Sequence, residues 1–174
     1  MEQLADFGAW VWARHHNIAS WYVRPLFVLP YCWFAYRRNR LGLAVTVLLF
    51  PTSLFWFPAP AQPSPEVERY LGLEQRVFLG SPWALAALGA AVAVFLVALA
   101  TAFWRRSWVW GLAVLNAGTL VKVAWSVSAG GEAGRAAILP SLATLAVCNA
   151  AVLGAVYWRR SSRRRAGLGN GPPP

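Results

Sequence analysis

The chain has 174 residues, of which 58% are hydrophobic and only 13% charged, and its formal charge is +10. A soluble domain carries about a quarter of its residues as charged side chains; half that number leaves too few to clothe a water-soluble surface. The expected class is therefore all-α, a polytopic integral membrane bundle of about five transmembrane helices, and the mean hydropathy of +0.45 agrees with it.

Residues 1–14 are aromatic and apolar but too short to cross a bilayer, and predict an interfacial helix. Glu2 and Asp6 stand where a signal peptide would be basic, so cleavage is not expected. His15 and His16 follow. Adjacent side chains diverge on a helix, so this pair alone cannot chelate; a site here would need ligands from elsewhere on the outer side, such as Glu66, Glu68 or Asp6. No metal and no cofactor is assigned. The first span is expected at 18–36, kinked at Pro25 and Pro30, with a re-entrant segment as the alternative. Arg24 at its outer end suits a lipid phosphate or an ion pair with Glu66 or Glu68.

"RRNR" at 37–40 stops that span, and 41–57 forms the second, interrupted at Pro51. Residues 58–80 are outside the membrane: a stiff proline-rich connector, then an amphipathic helix with Val67, Tyr70, Leu71 and Leu73 toward the apolar side and Glu66, Glu68, Arg69, Glu74 and Arg76 mostly opposite. Three further spans are expected at 82–104, 108–127 and 138–158. The tail at 159–174 is basic, then rich in Gly and Pro, and is expected to be disordered.

Lys122 is the chain's single lysine and lies inside the fourth span. Asn116, Thr119, Lys122 and Ser126 step by three, three and four residues and so share one face of that helix. Ser141, Thr144 and Asn149 of the last span can face them. An intramembrane cation marks a site or pathway; equally, a lysine about 7 Å from a helix end can snorkel to water. No span contains an Asp or Glu to pair with it. Ala146, Ala150 and Gly154 form a small-residue ridge that admits a close helix neighbour.

Ten arginines and no acid fall at 37–40, 105–106 and 159–165, whereas all six acids lie in the segments that map to the other side. The positive-inside rule then places the C-terminus in the cytoplasm and the N-terminus outside, in a bacterial-type cytoplasmic membrane. The expected partners are the bilayer, anionic lipid at the basic clusters, and a membrane protein or a second copy of the chain; nucleic acid is not expected. GxSxG, P-loop and HExxH patterns are missing, so no catalytic residue is assigned. The first functional reading is an accessory or assembly protein acting through helix contacts. The alternative is a small-molecule or anion binder or transporter using the face around Lys122, and the third a haem- or metal-linked enzyme.

Overall fold

The computed structural model describes residues 2–168, which are helical for 85% of the chain, with no strand among them. Three helices are long and apolar enough to cross a membrane: α6 (Pro82–Trp104), α7 (Trp108–Gly130) and α9 (Ile138–Leu168), whose apolar run ends before Arg159. At 1.5 Å per residue the 23 residues of α6 extend about 35 Å, enough for the hydrocarbon core. Ser81 and Ser107 cap the first turns of α6 and α7 through their hydroxyls, which accept from Ala84 N and Trp110 N.

The two earlier apolar segments are shorter and broken where proline sits. Residues 18–36 divide into α2 (Ile18–Val23), a 3-10 turn at Arg24–Phe27 and α3 (Val28–Tyr36). Residues 40–55 divide into α4 (Arg40–Leu49) and a 3-10 turn that begins at Pro51. Proline has no N–H and its ring crowds the preceding turn, so each segment bends there. Ahead of them lies α1 (Glu2–His15). The polar segment after the connector forms α5 (Pro65–Glu74), closed by one π turn at Gln75–Leu79. A short α8 (Glu132–Arg135) joins α7 to α9. The helix α9 continues past the expected end at Trp158 to Leu168; the rest of the expected disordered tail, 169–174, lies outside the described residues.

α6 packs on α7 and α3, α3 on α4, and α7 on α9. Gly111 and Gly118 of α7 allow the α6 contact, because a Cβ at either would strike the ring of Phe103 or Phe95. Tyr31 of α3 donates to the Leu96 carbonyl of α6 at 3.1 Å. One core thus gathers Tyr31, Cys32, Leu99, Phe103, Leu115 and Cys148 between these helices. A second, smaller core lies at the end bearing the acids: Val67, Tyr70 and Leu71 of α5 pack with Ala137, Trp12 and Trp21. That second core seats the polar groups described next.

Candidate functional site

A cavity of about 90 Å³ opens where α1, α2, α5, α7 and α9 meet. Its polar wall is His15, Arg24, Tyr70, Glu74, Lys122 and Ser141, and Trp21, Pro25, Ala137 and Pro140 complete it.

Each side chain is placed by a local contact. Asn17 caps α2 by accepting from Ala19 N, and its carbonyl receives the Ser20 hydroxyl at 2.7 Å. Ser20 in turn accepts from Arg24 Nη2 at 3.1 Å. The same nitrogen lies 2.9 Å from His15 Nδ1. A guanidinium only donates, so His15 Nδ1 accepts, and the imidazole is neutral with its proton on Nε2. Burial, then the Arg24 charge and then His16, push the His15 pKa down to about 4, which agrees with that tautomer. Arg24 Nε is buried and has no hydrogen-bond partner.

On the facing side Lys122 Nζ donates to Ser141 Oγ at 3.4 Å. The residue as a whole is exposed, so its stem lies along the open flank of α7 while the ammonium turns into the cavity. The polar region that the Lys122 ammonium reaches is the wall of this cavity. Ser126, fully buried, shares a 3.3 Å hydrogen bond with the Tyr70 hydroxyl. Trp21 packs against the Tyr70 ring at 5.1 Å and donates to the His15 carbonyl.

Glu74 closes the constellation. Burial holds its carboxyl above the ordinary carboxylate range, while Tyr70, Lys122 and Arg24 act the other way. The spans do lack an acid, but the carboxyl beside Lys122 comes from α5, outside them. Sequence reasoning placed Glu74 on the polar face. Yet Val67, Tyr70, Leu71 and Glu74 recur at helical spacing, and that pattern already puts Glu74 on the buried stripe.

The remaining expected residues go elsewhere. Asn116 and Asn149 exchange two amide hydrogen bonds, at 2.9 and 3.2 Å, and each also donates to its own helix. Their capacity is spent clamping α7 to α9. Thr119 donates to the Leu115 carbonyl and Thr144 to the Pro140 carbonyl, one turn back in each helix. His16 Nδ1 lies 2.8 Å from the Trp12 carbonyl and does not line the cavity. Glu66 lines a different, open hollow with Arg69, Glu132 and Arg135, and Glu68 is exposed and lines neither. Arg24 therefore meets neither of the acids expected for it; its neighbours are His15, Ser20 and Glu74. Among the described residues no three His, Cys, Asp or Glu side chains converge as metal ligands.

Two cations face one carboxyl across the cavity, so its net charge is positive whether Glu74 is ionised or neutral. A neutral imidazole, a phenol and serine hydroxyls add uncharged hydrogen-bond partners. Such a wall suits a small group bearing one or two negative charges. No family model matches the chain, and no curated protein or solved structure matches it with statistical significance.

Proposed function

We propose that the protein is a multi-pass membrane protein that binds a small anionic ligand, a carboxylate or phosphate, in this pocket. The observation that carries the reading is Arg24. Its Nη2 is held by His15 and Ser20, its Nε is a buried donor without a hydrogen-bond partner, and the residue lines the cavity. A buried unsatisfied donor costs about 1–3 kcal/mol. A ligand oxygen that accepts from Nε removes that cost, and the Lys122 ammonium supplies the opposing charge. The polar groups recognise the anionic head, and Trp21 and Pro25 offer an apolar wall to whatever is attached to it.

In this reading the bundle has five spans, α2–α3 and α4 with its 3-10 turn being the two bent ones. The arginine-rich end lies in the cytoplasm and the pocket opens on the other side. The setting is a bacterial-type cytoplasmic membrane. Thermal unfolding of the purified protein with acetate, benzoate, phosphate or phenyl phosphate tests it. At least one anion stabilises in a concentration-dependent way, by about 2.7 kcal/mol at a hundredfold excess over Kd, and Arg24→Gln abolishes the effect. No stabilisation by any of them, or equal stabilisation of the variant, refutes the reading.

A second reading, assembly through helix contacts, is favoured by the small-residue ridge. Ala146, Ala150 and Gly154 are exposed, and a Cβ on Gly154 meets nothing within 4 Å. Replacing Gly154 by Leu would then abolish a cross-linked complex while leaving the monomer's helicity unchanged.

A further inference from the structure

The three sequences "YRRNR" (36–40), "WRRSW" (104–108) and "WRRSS" (158–162) each follow an aromatic with two arginines and then Asn or Ser, the first two where a helix ends and the third where the apolar run of α9 ends. The fold brings all three to one end of the bundle. Arg38 Nε donates to the Trp104 carbonyl at 3.2 Å, and Arg40 lies over the Trp104 ring. Arg159 lies over both Trp33 and Tyr36, at 5.5 and 4.7 Å from the ring centres. Arg37 shares the Trp33 ring at 5.8 Å, and Arg106 shares the Tyr36 ring at 5.9 Å. Arg160 lies 5.5 Å from the centre of Trp108.

Three guanidiniums, those of Arg37, Arg106 and Arg159, are thus gathered over two adjacent rings. Among the described residues the one salt bridge is Arg135–Glu132, on the helix α8 at the opposite end of α7. Like charges that share ring neighbours repel, and among the described residues no salt bridge offsets these. Arg38 and Arg106 also sit at φ values of 56° and 58°, where a turn ordinarily uses Gly or Asn. Threading by the positive-inside rule needs charge on this side. It does not need planar guanidiniums converged on shared rings.

We infer that this arginine collar binds the headgroup of an anionic phospholipid, held by Arg37, Arg106 and Arg159. The depth is right, because the collar lies at the end of the membrane-length helix α6 and where the apolar run of α9 gives way to arginine at Arg159. The surroundings are right too: Trp33, Trp110 and Trp158 are exposed by 48%, 69% and 70% around it, and tryptophan favours the membrane interface. Guanidinium forks match phosphate oxygens in pairs, which a lysine point charge does not. The site is separate from the Arg24 pocket and stands whether or not that pocket binds an anion.

The test is native mass spectrometry of the whole purified chain after incubation with equal amounts of phosphatidylcholine, phosphatidylglycerol and cardiolipin. An anionic lipid is retained in preference to phosphatidylcholine. Arg106→Gln with Arg159→Gln lowers that retention roughly thirtyfold, the effect of removing two interfacial charges. Arg69→Gln with Arg76→Gln, on the segment at the other end, leaves it unchanged. Arg106→Lys with Arg159→Lys keeps the charge and the threading, and also lowers retention. Indiscriminate retention of all three lipids overturns the inference. So does an equal loss in the Arg69 and Arg76 variant, or full retention in the lysine variant. Displacement of the lipid by inorganic pyrophosphate at low concentration overturns the assignment to lipid as well.

Discussion

Arg24 and Lys122 approach the cavity from different elements. Arg24 is pre-positioned by two acceptors, so in the proposed anion pocket its planar fork is the recognition element and Lys122 supplies charge from a flexible stem. Replacing Lys122 by Met is expected to leave helicity and expression intact while weakening anion binding about tenfold, the cost of one charged hydrogen bond. Replacing Arg24 by Lys keeps the charge but does not restore binding; a titration of anion against thermal stability checks both. His15 contributes a pH signature. Its folded pKa of about 4 lies below its ordinary 6.5, so the unfolded chain binds the extra proton between those values. Stability is therefore lost as pH falls from 6.5 to about 4, and His15→Gln, which still accepts from Arg24, flattens that slope. Glu74 has the opposite sign. Its raised pKa favours the protonated form in the fold, so its contribution is lost as pH rises through that value, and Glu74→Gln removes the loss. Denaturation midpoints measured across pH for the two variants separate the groups. The sequence made Lys122, Ser126 and Ser141 legible as one polar face, and Arg24 and His15 as a separate outer-side group. It did not join the face around Lys122 to the region of Arg24, because their meeting depends on how α2 and α5 dock on α7 and α9. Tyr70 reads as part of an apolar stripe, and nothing in its spacing announces a pocket.

At the scale of elements, two contacts hold the site's walls in register. The Asn116–Asn149 exchange ties α7 to α9 in mid-span. Interhelical hydrogen bonds in membranes average about 0.6 kcal/mol with a maximum near 1.7, so a double-mutant cycle on Asn116→Leu and Asn149→Leu should return a coupling in that range. Coupling near zero would mean the amides find equal partners elsewhere. The second contact is Gly134 of α8, where any Cβ would collide with the Ser126 carbonyl. Gly134→Ala is expected to destabilise by about 1–3 kcal/mol and to release the Tyr70–Ser126 contact, seen as faster hydrogen exchange in α5. The long helices α6, α7 and α9 were plain from sequence because an uninterrupted apolar run admits one solution in lipid. The segments at 18–36 and 40–55 were harder. Proline at 25, 30 and 51 announces a bend without giving its geometry. The amphipathic helix was also legible, but its closing π turn at Gln75–Leu79 was not, since a single i→i+5 turn leaves no compositional mark.

Across the whole molecule, charge is sorted along the bundle axis. The arginine collar occupies one end of the bundle, at the end of α6 and past the apolar run of α9, and Glu66, Glu68, Glu74 and Glu132 lie at the other, in α5 and α8. The pocket belongs to the acid-bearing end and draws its two cations from the bundle, which is why net charge alone did not reveal it. The most direct test of the anion pocket is native mass spectrometry of the protein extracted gently from its own membrane, beside the variant carrying both Arg24→Gln and Lys122→Met. The account predicts a reproducible small anionic mass on the native chain that is missing from a variant of unchanged helicity. The same mass on both chains, or a native chain that carries none and takes up no anion from the panel, would contradict it.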